Sequence, residues 1–277
     1  MPEAGPLPPL REVIARHGLD ARRKLGQHFL LDANLTGRIA RLAGDLAGRH
    51  VVEVGPGPGG LTRALLDTAA AGVLAVEVDA RAVTALAELE AAYPGRLRVL
   101  AADATRTDLS TLVAAPRQLV ANLPYNVATP LLVGWLRQAQ VWERMTLMFQ
   151  QEVAERIAAR PDTSAYGRLS VLAQWTCRAA LLMRLPPAAF TPPPKVWSAV
   201  VGLQPHPAQP PPALFAAMER VTAAAFGQRR KMLRGSLRAL GGEALLERAG
   251  IAPERRAETL DIAEFDRLAR LVDAAAG

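Results

Sequence analysis

Apolar positions recur at helical spacing over Leu10 to His17 and again over Asp32 to Leu42. Between them lies a basic, glycine-containing stretch, Arg22-Arg23-Lys24-Leu25-Gly26-Gln27-His28-Phe29-Leu30, so the pattern predicts an N-terminal helical extension. From His50 the period changes. Short apolar β runs at 51–54, 73–78, 97–101, 118–121 and 145–149 alternate with helical segments, which predicts a parallel α/β sheet. Two later runs, 179–185 and 196–203, flank the proline-rich loop Pro186 to Pro194 and predict an antiparallel hairpin that completes the sheet.

The stretch Gln204 to Pro212 contains five prolines and can form neither helix nor central strand, because proline lacks an N–H and disfavours the α region for the residue before it. This places a domain boundary at 207/208. Residues 208–277 read as short helices punctuated by Gly227, Gly241-Gly242, Gly250 and Pro253, a small helical domain after the sheet domain of 1–207.

Composition narrows the class. With 50% hydrophobic and 21% charged residues in 277, the chain is neither a disordered tail nor a collagen-like fibre. Lys+Arg 33 against Asp+Glu 26 leaves +7, which favours a polyanionic partner, nucleic acid or an anionic membrane surface. Cys177 is the single cysteine, which excludes an intrachain disulfide and a multi-cysteine metal site, and its place in the helical stretch Leu169 to Cys177 predicts a buried core thiol. His17, His50 and His206 lack ligand-spaced partners, so no metal is expected. Pro2, Pro6, Pro8 and Pro9 break the start of the chain, and no stretch approaches ~18 apolar residues; the expectation is a soluble, cytoplasmic protein without a membrane partner.

The chemistry gathers at the ends of the β runs. The first opens into Glu53-Val54-Gly55-Pro56-Gly57-Pro58-Gly59-Gly60-Leu61-Thr62, where Gly55, Gly57 and Gly60 satisfy G-x-G-x-x-G. Glycines there allow positive φ and close backbone approach to a ligand, and Glu77, ending the next run, stands where an acid that holds both ribose hydroxyls belongs. A dehydrogenase and a methyltransferase share this pattern. Glu53 separates them, since a carboxylate before the glycine turn suits the positive aminoacyl end of S-adenosylmethionine and repels a pyrophosphate. Asp103, after the third run, is placed to accept a bond from the adenine amino group of such a cofactor, or else caps a helix.

Asn122-Leu123-Pro124-Tyr125 follows the fourth run directly. An adenine N6 amine is a poor nucleophile because its lone pair is delocalised into the ring. Were the Asn122 side-chain oxygen and the Pro124 carbonyl both to accept its N–H bonds, the lone pair would be freed and the charge developing on N6 stabilised. Tyr125 would offer a stacking face to a flipped base.

The set Gly26 to Leu30, Glu53 to Gly57, Asn122 to Tyr125, Phe190 to Lys195 with Val196-Trp197-Ser198, and Phe226-Gly227-Gln228-Arg229-Arg230-Lys231 resembles the ribosomal RNA adenine N6,N6-dimethyltransferase family, in order and spacing, from about residue 20 to 270. The resemblance implies a Rossmann-like, doubly wound S-adenosylmethionine-dependent methyltransferase sheet with a small all-helical C-terminal domain. It implies cofactor contacts at Gln27, His28, Leu30, Gly55, Gly57, Glu77, Asp103 and Asn122, and a catalytic set of Asn122, Leu123, Pro124, Tyr125 and Phe190, with Phe190 and Tyr125 sandwiching the target adenine. The implied substrate is two adjacent adenosines in the hairpin loop near the 3′ end of small-subunit (16S) rRNA, met by a monomer with no obligate protein partner. Two positions depart from the family pattern: His28 and Gly235 each stand where Asn is common.

RNA contacts are expected at Arg22, Arg23, Lys24, Lys195, Arg229, Arg230, Lys231, Arg234 and Arg238. Arg230, Arg234 and Arg238 fall at i, i+4 and i+8, with Leu233, Leu237 and Leu240 opposite, which predicts an amphipathic helix presenting a cationic ridge. Other readings are an NAD-dependent dehydrogenase, a large-subunit rRNA adenine N6-methyltransferase, which shares the catalytic motif, and a non-catalytic ribosome assembly factor on the same fold.

Overall fold

The computed structural model describes residues 7–19, 28–228 and 230–275. Its strands are β1 (Phe29–Leu30), β2 (His50–Val54), β3 (Gly72–Glu77), β4 (Leu97–Ala101), β5 (Arg117–Asn122), β6 (Arg144–Gln150), β7 (Cys177–Leu185), β8 (Phe190–Thr191) and β9 (Ser198–Pro205). Seven of them make one sheet in the order β4-β3-β2-β5-β6-β9-β7. The pairs β4-β3, β3-β2, β2-β5 and β5-β6 are parallel and β9 runs antiparallel to β6. β2 and β3 are buried along almost their whole length, as their unbroken apolar runs require when helices cover both faces. The chain moves outward from β2 through β3 to β4, then returns to place β5 and β6 on the other side. That reversal between β2 and β5 opens a crevice at their carboxyl ends, the place where open α/β sheets hold ligands.

The β runs read from the sequence fall on observed strands to within a residue or two at most ends. β7 and β9 are neighbours, as the hairpin reading required, but the loop between them carries a strand that hydrophobic period does not reveal. β8 pairs antiparallel with β1, with Phe29 opposite Thr191 and Leu30 opposite Phe190. The helix Ala33–Leu42 follows β1 and is capped by Asp32, whose carboxylate accepts the N–H of Asn34 at 2.8 Å and of Leu35 at 3.3 Å. The helix Arg168–Thr176 stops one residue before Cys177, which opens β7 instead of ending a helix; its thiol is buried and pushed up to about 12 by desolvation, an inert core group.

The chain divides into two compact units. The first comprises Met1–Gly134, Val141–Ala154 and Leu181–Gln204, with the seven-stranded sheet at its centre. The second takes Trp135–Gln140, Glu155–Ala180 and Pro205–Gly277, so it gathers two earlier segments that a single cut at 207/208 leaves out. The reason lies in packing: the helix Arg168–Thr176 contacts both Pro212–Gly227 and Ile262–Ala274, and Trp175 donates its indole N–H to Asp266 at 3.0 Å. Tyr166, Phe226 and Phe265 form a run of rings with centroids 6.0 and 5.6 Å apart.

The predicted amphipathic helix from Arg230 to Leu240 does not form. The segment breaks into a short helix, Leu233–Ser236, and a 3-10 turn, Arg238–Leu240. Leu233 N–H donates to the Arg255 carbonyl at 2.8 Å and Arg234 N–H to the Pro253 carbonyl at 3.1 Å, so these amides are held by another loop instead of a preceding helical turn. Leu233 and Leu237 are buried as the pattern required, and Arg230, Lys231, Arg234 and Arg238 are exposed, but they do not form one helical stripe.

Candidate active site

A pocket opens at the carboxyl ends of β2, β3 and β5, lined by His28, Leu30, Glu53, Gly55, Gly57, Glu77, Val78 and Asn122 to Val127 among others. Two carboxyl groups form its floor. Glu53, the penultimate residue of β2, is 1% exposed, and its Oε2 has no hydrogen-bond partner. Burial pushes its carboxyl up to about 8, the nearby Thr62 hydroxyl opposes this in part, and the charge of Glu77 adds to it. Glu77 ends β3 and accepts three backbone N–H groups, from Gly57 at 3.1 Å, Val78 at 2.8 Å and Asp79 at 2.9 Å. Desolvation still outweighs those bonds and raises its pKa. The Val78 and Asp79 amides both go to Oε1 and the Gly57 amide to Oε2, which leaves one lone-pair position on Oε2 for a ligand. The carboxylate is thus already engaged by the glycine turn and the start of the next helix, and keeps acceptor capacity for a ligand on Oε2.

The glycines serve the chain's own packing as well as a ligand. Gly57 sits at φ +54°, and a Cβ there would stand 2.9 Å from the Phe29 ring. A Cβ on Gly60 would collide with the Leu30 carbonyl oxygen. β1 therefore lies directly over the turn, which is how residues 28–30, remote in sequence, become pocket wall.

Asn122, the last residue of β5, donates its amide N–H to the His28 carbonyl at 3.1 Å. That bond turns Nδ2 toward His28 and leaves Oδ1 as an acceptor that no donor occupies among the described residues. The Pro124 carbonyl accepts the Val127 N–H at 3.2 Å and retains a second lone pair. Tyr125 is held at its tip by a 2.5 Å bond to the buried Ser198 hydroxyl, and its ring lies 5.4 Å from the His28 imidazole. His28 Nδ1 is 2.9 Å from the Pro192 carbonyl, which sets Nδ1 as the protonated nitrogen. At this position the backbone oxygen, which any residue supplies, orients Asn122, and the His28 ring is a wall group braced by the Pro192 carbonyl.

Of the residues predicted from sequence, His28, Leu30, Gly55, Gly57, Glu77, Asn122, Leu123, Pro124 and Tyr125 meet in this pocket. Asp103 does not line it. Its Oδ1 caps a turn by accepting the Thr105 N–H at 2.9 Å and hydroxyl at 2.6 Å, and these bonds hold its carboxyl below the usual range. Phe190 is 3% exposed, in the core cluster that also holds Leu30 and Val200, and pairs with the pocket-lining Leu30, but is not itself among the lining residues. Lys195 is exposed on the loop before β9. Arg230, Lys231, Arg234 and Arg238 belong to the second unit, and Arg22, Arg23, Lys24, Gln27 and Arg229 lie outside the described residues. Sequence reasoning missed Val78, Asn126 and Val127, and gave Ser198 no role beyond its place in the Val196-Trp197-Ser198 motif. Val78 carried a signal, an apolar residue directly after the acid that ends β3, and it is 65% exposed at the pocket.

A doubly wound sheet with two buried carboxyls and an open amide oxygen at its switch point defines a Rossmann-like S-adenosylmethionine-dependent methyltransferase. Residues 18–274 match the profile of the family described as ribosomal RNA adenine dimethylase, and the chain belongs to that family. It is 66% identical over 265 residues to the ribosomal RNA small subunit methyltransferase A of Gluconobacter oxydans, covering 96% of this chain and 88% of that one. It is 60% identical to the protein of the same name from Paramagnetospirillum magneticum, covering 97% and 96%. Among solved structures it resembles a dimethyladenosine transferase from Plasmodium falciparum, with a TM-score of 0.75 and 25% identity over 87% of this chain and 96% of the other. It also resembles the 23S rRNA methyltransferase ErmE, with a TM-score of 0.65 and 27% identity over 88% and 99%.

Proposed function

We propose that the pocket binds S-adenosylmethionine and that the enzyme dimethylates N6 of two adjacent adenosines in the hairpin loop near the 3′ end of small-subunit rRNA. The donor set fits the cofactor: an unpartnered buried Glu53 oxygen offers an acceptor to a cationic ligand, Glu77 Oε2 an acceptor to a hydroxyl, and Val78 and Leu61 an apolar wall to an aromatic ring. A pyrophosphate would face two carboxyls with no lysine or arginine among the lining residues, which disfavours the dehydrogenase reading. When bound, S-adenosylmethionine supplies a methyl group on a sulfonium centre.

The observation that carries the reading is Asn122 Oδ1, held open by the amide's bond to His28. Asn122 Oδ1 and the Pro124 carbonyl accept the two N–H bonds of an adenine N6 and oppose delocalisation of its lone pair. They also stabilise the positive charge that grows on N6 as it attacks. Tyr125, fixed by Ser198, presents its ring to the base, while Leu123 closes the floor. Phe190 backs this wall from the core cluster that holds Leu30, and Asp103 caps the turn after β4. RNA contacts fall to Arg22, Arg23, Lys24, Lys195 and the segment Arg229 to Arg238, with the helical residues 208–277 as the RNA-binding part. On this reading the enzyme is a monomer with no obligate protein partner, and a ribosomal substrate suits the cytoplasm. Among the described residues no helix is long and apolar enough to cross a membrane.

The substrate is tested by offering purified protein and methyl-labelled cofactor both ribosomal subunits from cells lacking the modification. Label on the small subunit is expected; label on the large subunit alone would favour the alternative reading, and label on neither would favour an assembly factor.

A further inference from the structure

The loop before β9 is tied at both ends to pocket walls. At one end the Pro192 carbonyl lies 2.9 Å from His28 Nδ1, and at the other Ser198 bonds Tyr125 at 2.5 Å. Between these anchors three successive side chains, Lys195, Val196 and Trp197, are exposed, the last two at 45% and 49%. The backbone beneath them is fixed, with the Trp197 carbonyl accepting the Gln151 N–H at 2.8 Å. Trp135 and Trp142 are buried and Trp175 is half-buried with its indole bonded to Asp266, whereas the Trp197 indole has no hydrogen-bond partner among the described residues. A rigidly based indole left half in water beside a cation, on a loop anchored at both ends to pocket-lining residues, is the composition of a single-strand nucleotide subsite: a π face for a base and a positive charge for its phosphate.

We propose that Trp197 stacks on the unpaired base adjacent to the target adenosine, with Lys195 on the intervening phosphate, and so positions the strand for insertion of its neighbour beside Tyr125. The proposal rests on the rRNA methyltransferase reading above and names one subsite of its substrate. A base is favoured over a protein partner because the exposed apolar surface is two side chains wide and next to Lys195 in a chain of net charge +7. Stacking tolerates any base, so the subsite sets strand position and not sequence.

The test is steady-state methylation of unmethylated small subunits by wild type, Trp197→Ala and Trp197→Phe, together with tryptophan emission during titration with a short RNA hairpin that carries two adjacent loop adenosines. Trp197→Ala is expected to raise KM for the RNA about 5- to 100-fold, from the usual worth of one stacked base, with kcat at saturating RNA and cofactor affinity unchanged. Trp197→Phe should recover most of the loss. Wild-type emission should be quenched by the hairpin, and the quenched fraction should vanish in both variants. A methylating wild type whose Ala variant keeps its KM and its quenching overturns the stacking role, as does quenching by a ribosomal protein but not by the hairpin. A wild type that is quenched by RNA through Trp197 yet transfers no methyl supports the subsite and overturns the functional reading instead.

Discussion

Asn122 and His28, ninety-four residues apart in sequence, are joined by a 3.1 Å bond from the Asn122 side-chain amide to the His28 carbonyl. The bond turns the amide nitrogen toward His28 and leaves its oxygen as an acceptor free for substrate. Asn122→Ala should therefore cut turnover about 10²-fold or more, the range for removing one group that stabilises transition-state charge. Asn122→Asp keeps an oxygen but loses the donor to His28 and faces that carbonyl with a charge, so it should recover little. Single-turnover methylation measures both, and RNA affinity should barely change. Wild-type rates in either variant would remove Asn122 from the chemistry.

Gly60 admits no side chain because the Leu30 carbonyl lies against it. Gly60→Ala should lift β1 from the glycine turn, destabilise the protein by about 1 to 3 kcal/mol through overpacking, and loosen the pocket wall. Thermal unfolding and cofactor calorimetry read the two effects. A variant with unaltered Tm and affinity would show that β1 is free to shift without cost.

Glu53 couples proton binding to folding and to the cofactor. Its carboxyl titrates near 8 when folded, against an ordinary value of 4.5, chiefly because it is desolvated. Between those values the folded protein holds a proton that the unfolded chain has released. Stability therefore falls as pH rises through this window, by an amount on the order of a few kcal/mol, and levels off above the folded pKa. Glu53→Gln should flatten that part of the profile. A cationic ligand favours the ionised carboxylate, so binding S-adenosylmethionine at pH 7 should release a proton. Calorimetry in two buffers of different ionisation enthalpy will show it as a difference in apparent binding enthalpy; identical enthalpies would contradict the coupling.

The cationic segment of the second unit is not a uniform ridge. Arg234 lies 3.9 Å from both Glu243 and Glu254, whereas among the described residues Arg230, Lys231 and Arg238 have no carboxylate partner. Replacing Arg230, Lys231 and Arg238 together with Gln should flatten the salt dependence of RNA binding by about two to three log units, and Arg234→Gln alone by less than one. Cofactor affinity should be untouched, since every pocket residue belongs to the first unit. An unchanged slope in the triple variant would move recognition to Arg22, Arg23 and Lys24.

The alternating β runs reveal the parallel sheet because β2, β3 and β5 are buried on both faces and must be apolar throughout. From that order, the carboxyl-end position of Glu53, Glu77 and Asn122 follows. What the pattern does not carry is the pairing of β1 with β8: each is two residues long, too short for any period, and they lie 162 positions apart in their register of Phe29 with Thr191 and 160 in that of Leu30 with Phe190 by the difference of residue numbers. That pairing decides why Phe190 faces the core and why residues 28–30 roof the glycine turn. The failure at Arg230 to Leu240 has a similar origin. The i, i+4 spacing is present, but the amides of Leu233 and Arg234 find long-range acceptors, which no local pattern encodes.

The central claim is that this pocket directs methyl transfer to adenine N6 in small-subunit rRNA. It is tested most directly by mass spectrometry of the rRNA nucleosides and their sequence positions after unmethylated small subunits are incubated with the protein and S-adenosylmethionine. The account predicts N6,N6-dimethyladenosine at two adjacent loop positions, lost with Asn122→Ala. Methyl groups on another base or another atom, or no new modified nucleoside at all, would contradict it.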